Sequence, residues 1–403
     1  MISIRNPQSA IRNPMSLRQL KAVYFVLAGI NSFASAYFFN YLFFLLRDEF
    51  GFGSKENLMT GALHGFIYVG AAWYGGRFAQ RHGYFTALRL GFGGMALLLA
   101  LGSALPTVTG QLLALAGWTV AICFTWPTLE ALVSENENPA GLQKMVGIYN
   151  LVWAGTCALA FCLGGLLFET LGRRSLYWLP CALHILQLLL LAWLARRAKF
   201  FPHAPPAAPA DTTPPSARAK LFLRLAWLAN PFAYIAINTL LALIPTLARK
   251  FHLSTAESGA FGSIWFFVRL GTFLLLWQWT GWHYRFRWLL GAFLALIGSF
   301  ATLLLAGQLW TLVFAQIIFG LAVGLIYYSS LFYSMDAGDT KGEHGGVHEA
   351  ALGVGIFLGP AVGGAALHFA PAQPQAGAWA VSGLLVAGLA GMIWLRRRRE
   401  AGS

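Results

Sequence analysis

Polar residues are so sparse along much of this chain that apolar side chains form long, nearly uninterrupted runs. A helix needs about 20 apolar residues to cross a bilayer core of roughly 30 Å, and twelve runs approach or exceed that length. The runs lack the alternation of apolar and polar positions found in the strands of membrane barrels. The predicted transmembrane helices cover residues 22–46, 57–77, 84–104, 108–132, 145–168, 175–196, 221–248, 257–279, 288–306, 309–335, 346–370 and 376–395.

A stretch rich in proline and alanine, APPAAPADTTPP, interrupts this pattern halfway along the chain and predicts a flexible or partly extended linker. The two flanking halves echo each other, with LLRDEFGFGS after the first run and LARKFHLST after the seventh. The sequence therefore predicts an all-α membrane protein with 12 transmembrane helices in two pseudo-symmetric six-helix bundles. Its predicted parts are a cytosolic leader at 1–21, an N-terminal bundle at 22–197, a linker at 198–220, a C-terminal bundle at 221–395 and a basic cytosolic tail at 396–403.

Basic residues are distributed unevenly between the predicted loops and give the chain a net charge of +14. Twenty-one of the 28 lysines and arginines fall on the side of the two termini and six on the opposite side. Because cytosolic loops of membrane proteins are enriched in Lys and Arg, both termini are predicted to be cytosolic, in a bacterial inner membrane. The lipid bilayer is the expected partner of this charge, and nucleic acid is not, since no basic soluble domain is predicted.

Segments that partly resemble enzyme or cofactor-binding motifs each lack a residue that the motif requires. The segment HEAAL lacks the second histidine of a zinc-protease helix, and GFGSK lacks the ending of a phosphate-binding loop. All four cysteines lie inside predicted helices without metal-ligand spacing. The sequence predicts no enzyme, no metal site and no cofactor, so any transport would be driven by gradients.

One full positive charge, Arg269, lies inside the apolar run SIWFFVRLGTFLLLW. A central arginine costs a lone helix roughly 2.5 to 3.5 kcal/mol, which favours a position inside a bundle. Helical spacing sets it on a small, more polar stripe with Ser258, Gly262, Trp265 and Thr272. We predict that Arg269 faces a central cavity as the counter-charge for a carboxylate or phosphate on the substrate. The alternative is a structural arginine, tied to helix carbonyls or to a half-buried glutamate.

Acidic residues are rare within the predicted helices, and no carboxylate falls at mid-membrane. An exporter of cationic drugs usually needs such a group, so its absence favours an anionic or neutral substrate over proton-coupled drug export. Protons remain a possible coupling ion through titratable side chains, which could equally serve in packing or helix capping. These candidates for coupling or gating are His64, Glu130, His348 and Glu349.

Two glycine-containing motifs resemble those of a known family, the major facilitator superfamily. GGRFAQRHG resembles the family's cytosolic loop signature between helices 2 and 3, with a glutamine in place of the usual acid. The positions concerned are Gly76, Gln80, Arg81 and Gly83. GIFLGPAVGG, in the eleventh predicted helix, resembles the glycine and proline pattern that many exporters of the family carry in helix 5. Gly359 and Pro360 would then act as a gating hinge or, in the alternative interpretation, only permit tight helix packing.

The resemblance covers nearly the whole chain and implies a monomeric secondary transporter that binds a small-molecule substrate between its halves. In the family, helices 1, 4, 7 and 10 line the cavity. The resemblance thereby implies these candidate cavity residues for substrate binding: Asn31, Asn40, Asn238, Gln316, Tyr327 and Tyr328. The predicted function is gradient-driven transport of a small anionic or polar organic solute by alternating access. The alternative is a membrane receptor or assembly partner that keeps the transporter shape without transporting.

Overall fold

Helices account for almost all of the described residues, and short turns join consecutive helices within each described range. The computed structural model describes residues 15–137, 139–198, 216–337 and 343–400, and no strand occurs among them. Within these ranges, the side chains of 139, 140, 198, 337, 343–348, 399 and 400 lie outside the description. The helices are α1 (Leu17–Phe50), α2 (Ser54–His82), α3 (Tyr84–Ala104), α4 (Val108–Ile122), α5 (Trp126–Ser134), α6 (Pro139–Thr170), α7 (Ser175–Ala198), α8 (Ala217–Lys250), α9 (Thr255–Gly262), α10 (Ile264–Gln278), α11 (Phe286–Leu305), α12 (Leu309–Ala337), α13 (Glu343–Phe369) and α14 (Ala376–Glu400).

Local chemistry explains where the first helices begin and end. Ser16 caps α1, because its hydroxyl accepts a hydrogen bond from the Gln19 backbone N–H while the Gln19 side chain accepts one from the Ser16 N–H. α1 ends at Gly51, which has a φ of 70°, and Gly83, with a φ of 90°, alone separates α2 from α3. Residues without a Cβ adopt these left-handed values at little cost, so glycine fixes both turns.

Two of the predicted transmembrane helices, 108–132 and 257–279, are each present as one apolar stretch, but each stretch contains a break that divides it into two helices. α5 begins beside Pro127, which cannot continue an incoming helix. The Thr125 hydroxyl donates to the Ile122 carbonyl at 2.7 Å across this break. At the second break the Ser263 hydroxyl donates to the Ala260 carbonyl, also at 2.7 Å. Side-chain donors therefore replace part of the helical hydrogen bonding that each break interrupts.

Several helices extend further than the apolar runs predict. α1 begins at Leu17, α7 continues to Ala198 and α8 begins at Ala217, so helix takes up part of the predicted leader and linker. Residues 1–14, 199–215 and 401–403 of those segments lie outside the described residues. α13 begins at Glu343, which places Glu349 inside the helix rather than at its start. A role for Glu349 as a cap of the helix start is therefore excluded.

Eleven helical stretches of the described chain are long and apolar enough to cross a membrane. They include α4 with α5 and α9 with α10, each pair counted as one stretch. α2 is not among them although it has 29 residues, because its glycines and polar side chains lower its hydropathy. Large apolar side chains are exposed on the outside of the bundle, including Trp310 and Phe314 on α12 and Leu189 on α7. Such an apolar exterior suits a lipid environment.

The N-terminal segment (residues 15–198) and the C-terminal segment (residues 216–400) meet through helices in backbone contact. α2 lies along α13, where a Cβ on Gly65 would come within 2.3 Å of the Phe357 backbone nitrogen. α6 lies against α9, where a Cβ on Gly165 would come within 2.2 Å of the Thr255 carbonyl oxygen. Only glycine fits at these two crossings.

Hydrogen bonds join the two segments at the end of the bundle that the sequence predicts to be extracellular. The hydroxyls of Ser54 and Thr246 are hydrogen-bonded at 2.8 Å. The Ala256 N–H, at the start of α9, donates to the Glu169 carboxylate at 2.9 Å. Together with the α6–α9 crossing, these contacts close that end of the gap between the segments.

Candidate functional site

A cavity of about 210 Å³ lies where the N-terminal and C-terminal segments meet. Helices α1, α2, α4, α5 and α6 line it from the first segment, and α8, α10, α12 and α13 line it from the second. Polar or ionisable side chains in its wall include Ser32, Ser35, Asn40, His64, Tyr68, Glu130, Tyr149, Tyr234, Asn238, Arg269, Tyr327 and Glu349.

Arg269 faces this cavity from α10 inside a cage of aromatic rings. Its guanidinium carbon lies 4.8 Å from the ring centre of Trp153 and 5.1 Å from those of Trp265 and Phe266. Trp153 belongs to α6 and the other two rings to α10, so both segments contribute to the cage. Each such contact favours the cation by about 0.5 to 2 kcal/mol, more when it is shielded from water.

The charge of Arg269 is not neutralised by a carboxylate among the described residues. None of their ion pairs includes it, and its Nε atom has no hydrogen-bond partner although the side chain is only 4% exposed. The ionisable groups that interact with its charge are Tyr234, Cys157 and Tyr327. The alternative of an arginine tied to a described glutamate is therefore excluded, and its charge is left unpaired at the cavity wall.

Two carboxylates, Glu130 of α5 and Glu349 of α13, line another part of the same cavity. The Tyr68 hydroxyl of α2 donates to Glu349 at 2.6 Å, which ties the N-terminal segment to the C-terminal one. Glu130 lies close enough to Glu349 for the two charges to repel each other. The cavity therefore has a cationic side at Arg269 and an acidic side at the two glutamates.

His64 lies in the wall near the acidic side, with its ring 5.7 Å from that of Tyr68 and 4.3 Å from that of Phe39. Its Nδ1 is 2.7 Å from the Thr119 hydroxyl oxygen, and that hydroxyl donates to the Leu115 carbonyl. The Thr119 oxygen is thus left as an acceptor, which assigns the ring proton to Nδ1 and leaves Nε2 of His64 as an acceptor.

Asparagine side chains divide between the cavity and the packing around it. Asn40 and Asn238 line the cavity, and the Asn238 amide also donates to the Tyr234 carbonyl at 3.0 Å. Asn31 is fully buried outside the lining, and its amide donates to the Thr125 hydroxyl at 3.2 Å. Asn31 therefore supports the break between α4 and α5 and does not reach the cavity.

Gln316 and Tyr328 also lie outside the central cavity. Gln316 lines a separate cavity of about 30 Å³ within the C-terminal segment. The Tyr328 ring packs 5.8 Å from that of Phe273 and 5.9 Å from that of Trp282. Its neighbour Tyr327 lines the central cavity instead, because successive helical residues point roughly 100° apart.

The predicted hinge residues pack against neighbouring helices. A Cβ on Gly359 would come within 2.4 Å of the Ile235 carbonyl oxygen, so this glycine lets α13 approach α8 closely. Pro360 lies next to Gly61 of α2, where a Cβ would be 3.4 Å from the proline ring. The side chain of His348 lies outside the described residues.

The residues of the loop signature lie at the last turns of α2, away from the cavity. Gly83 ends the helix with its positive φ, while Gln80 and Arg81 are exposed and Gly76 is half-buried within the helix. These positions shape the turn between α2 and α3 and contribute nothing to the cavity wall.

Sequence reasoning missed most of the aromatic lining of the cavity. Trp153, Phe266, Tyr68 and Tyr149 all belong to it. In a membrane protein aromatic residues also collect at the lipid surface, so their positions in the sequence carried little information. The one usable signal was Trp265, four residues before Arg269 and hence on the same helical face.

The family model of the Major Facilitator Superfamily matches residues 24–343. The chain belongs to the Major Facilitator Superfamily. This confirms the resemblance seen in the sequence and identifies an integral membrane protein of a transporter family. No curated protein sequence matches this superfamily member.

Solved transporter structures share the fold of this superfamily member over nearly its whole length. The human organic anion transporter MFSD10 (TETRAN) is 14% identical, with a TM-score of 0.65, covering 94% of this chain and 100% of that one. A bacterial homologue of the human lysosomal transporter Spinster, inward-facing and unoccupied, is 13% identical with a TM-score of 0.66, covering 94% and 95%. The nucleoside transporter NupG, in a mutant form, is 15% identical with a TM-score of 0.68, covering 93% and 99%.

Proposed function

We propose that this protein is a gradient-driven secondary transporter that moves a small organic anion by alternating access. The observation that carries the proposal is the unpaired, aromatic-caged Arg269 at the wall of a cavity shared by both segments. A guanidinium presents a planar fork of N–H donors that fits a carboxylate or phosphate. A substrate anion would supply the counter-charge that the described residues lack.

The rest of the cavity supports a substrate that also carries a ring and polar groups. The half-buried rings of Phe39 and Trp126 in the cavity lining would contact a flat ring, while Asn40 and Asn238 would orient hydroxyl or carbonyl groups. One structural neighbour is named an organic anion transporter, which agrees with this class without identifying the solute.

Protons are the coupling ion that the acidic side of the cavity supports. Glu130 and Glu349 repel each other when both are ionised, so one proton shared by the pair would relieve the repulsion. Tyr68 donates to Glu349 from the opposite segment, so a change in Glu349 charge would alter a contact between the segments. Loading of the proton would thereby influence how the segments move relative to each other.

Twelve transmembrane helices in two six-helix bundles are the topology we propose. α2 would be the twelfth span, since its 29 residues are about 43 Å long and it lies inside the bundle along α13. The bias of basic residues supports cytosolic termini in a bacterial inner membrane. With the opposite end closed by the Ser54–Thr246 and Ala256–Glu169 contacts, solute would enter this state from the cytosolic side.

A second candidate, proton-coupled export of a cationic drug, is favoured by the presence of Glu130 and Glu349 in the cavity. A cation would bind at the acidic side and be displaced by a proton. Arg269 disfavours this function, because it lines the same cavity and would repel a cation bound there.

Uptake into proteoliposomes tests the proposal. Purified protein would be reconstituted and offered labelled aromatic carboxylates, nucleoside monophosphates, neutral nucleosides and cationic dyes, each with and without a pH gradient. Protein-free liposomes are the control. We expect saturable accumulation of one or more anions that depends on the gradient.

The other results separate the alternatives. Accumulation of cations in place of anions would establish the exporter. Saturable binding of an anion without passage across the membrane would establish the receptor alternative. Passage of anions that is insensitive to any ion gradient would contradict the secondary-transport mechanism.

A further inference from the structure

A second cavity, of about 670 Å³, shares no lining residue with the central cavity around Arg269. The start of α8, the turn between α10 and α11, the start of α11 and the end of α14 surround it. Four arginines line it, namely Arg218, Arg285, Arg287 and Arg396, and no acidic residue does. Asp336 contacts the turn, where its carboxylate accepts a hydrogen bond from the Tyr284 hydroxyl, but it is not part of the cavity lining.

Fixed contacts hold this arginine pocket together. Arg218 donates to the Tyr284 carbonyl at 2.8 Å, and the Tyr284 N–H donates to the Tyr333 hydroxyl at 2.9 Å. Arg396 lies over the ring of Phe286, with its guanidinium carbon 4.2 Å from the ring centre. The pocket is therefore built by two arginines anchored on aromatic residues, with the exposed Arg285 and Arg287 beside them.

Other groups in the pocket also favour an anion. α11 has 20 residues and begins there without a side-chain cap, so its first backbone N–H groups and the positive end of its dipole are open to a ligand. Burial lowers the pKa of His283, the residue before Tyr284, so the positive charge of the pocket comes from arginines. The charge of arginine persists across the physiological pH range.

The pocket lies at the boundary between apolar and polar parts of the surface. From Trp288 to its end at Leu305, α11 contains no charged residue, and its Leu294 is exposed. On α14 the exposed side chains of Val386 and Trp394 precede the basic end of the helix. Tryptophan next to basic residues marks the level of lipid headgroups in membrane proteins.

We propose that this arginine pocket binds the phosphodiester headgroup of an anionic phospholipid, with the acyl chains along the exposed apolar faces of α11 and α14. The guanidinium forks and the open end of α11 would hold the phosphate oxygens. The leaflet would be the cytosolic one under the orientation given above, but the binding itself depends on neither orientation nor transport.

Lipid binding to the purified protein in detergent tests this site. Native mass spectrometry and thermal unfolding would be measured with phosphatidylglycerol, with phosphatidylcholine and with inorganic phosphate. The test variant is Arg285→Gln with Arg287→Gln, and Arg285→Lys with Arg287→Lys retains the charge. The matched control is Arg89→Gln with Arg196→Gln, which removes two exposed arginines on the same predicted side of the membrane.

We expect phosphatidylglycerol to bind and raise the unfolding temperature, and phosphatidylcholine to bind at least about tenfold more weakly. The glutamine pair in the pocket should weaken phosphatidylglycerol binding by a similar factor, the lysine pair by less, and the control pair hardly at all. An equal loss in the control pair, equal binding of phosphatidylcholine, or displacement of the lipid by millimolar inorganic phosphate would each overturn the proposal. The first result would indicate diffuse charge, the second apolar adsorption and the third a site for a soluble anion.

Discussion

At the scale of single residues, the Arg269 side chain is buried away from water but forms no ion pair with a carboxylate among the described residues. Three aromatic faces at about 5 Å offset part of the cost, at about 0.5 to 2 kcal/mol each. The insertion cost of a central arginine is roughly 2.5 to 3.5 kcal/mol or more, so little net stability is gained from keeping it. A ligand anion would change this balance, because it would supply the missing ionic hydrogen bonds.

Substituting Arg269 should therefore not destabilise the protein. We expect Arg269→Gln to leave the unfolding temperature in detergent unchanged or to raise it, since no pair is broken. Lys21→Gln is the contrasting variant, because Lys21 is only 4% exposed and forms an ion pair with Glu137. It should lower the unfolding temperature, because Glu137 loses its partner in a partly buried position. A marked fall for Arg269→Gln would instead indicate a structural arginine.

Glu349 should carry the coupling proton. Glu349→Gln keeps an acceptor for the Tyr68 hydroxyl but removes the titratable group. We expect exchange of labelled substrate across the membrane to persist in this variant. Accumulation driven by a pH gradient should fall at least about tenfold, because the variant has lost the group that carries the proton. Glu49→Gln, at the exposed pair with Arg173, is the control and should behave as wild type. Accumulation that survives in Glu349→Gln would rule out this residue as the proton carrier.

The sequence located the ionisable residues of the cavity better than its neutral ones. Arg269, Glu130, Glu349 and His64 stand out because charge within an apolar run has few explanations. Neutral amides are ambiguous, because the same side chains also hold helices together, as Asn31 does at the α4–α5 break. Placing both glutamates in one cavity required the three-dimensional packing of α5 against α13.

At the scale of helices, the two breaks lie next to the functional side chains. α5 begins three residues after Cys123 and carries Trp126 and Glu130 into the cavity wall, while α10 begins after Ser263 and carries Trp265 and Arg269. A break changes the direction of the helix axis, so the side chains that follow it point in a different direction from those of a continuous helix. The apolar pattern could not reveal the breaks, since it runs through both without interruption. Pro127 was the one sequence signal for the first.

A substitution at the crossing of α2 and α13 tests how much close helix contact contributes to stability and transport. Gly65→Ala would place a Cβ within 2.5 Å of three backbone atoms of α13, so the helices must move apart. We expect the free energy of unfolding to fall by about 1 to 3 kcal/mol and transport to fall with it. Gly70→Ala, on the same helix with nothing within 4 Å, should be neutral or stabilising. Equal effects of the two variants would show that the loss comes from helix flexibility rather than from packing.

At the scale of the whole molecule, the all-helical membrane architecture followed directly from the length of the apolar runs. The helix ends did not, because polar extensions such as the first turns of α1 and α8 continue past the apolar runs. α2 differs from the other predicted spans. The sequence predicts a span at 57–77, but α2 is not among the eleven stretches that are long and apolar enough to cross a membrane. A helix buried among other helices can carry polar residues that a lipid-facing helix cannot.

Alternating access requires the closed end of the gap to open during each cycle. The hydroxyls of Ser54 and Thr246 are 2.8 Å apart there, so Ser54→Cys with Thr246→Cys should form a disulfide when the four native cysteines are replaced. We expect oxidation to reduce transport at least about tenfold, since the gate is locked, and a reductant to restore it. Each single cysteine variant is the control. Full transport through the cross-linked protein would contradict opening at this end.

The most direct measurement is the preference for an anion over its neutral isostere. For the best substrate found, competition by its carboxylate and by the matching amide would be compared in wild type, Arg269→Lys and Arg269→Gln. We predict that wild type favours the carboxylate by about 10- to 100-fold, from ionic hydrogen bonds of about 1.5 to 3 kcal/mol. The lysine variant should retain part of this preference and the glutamine variant should lose it. An unchanged preference in Arg269→Gln would contradict the role of Arg269 as the counter-charge of the substrate.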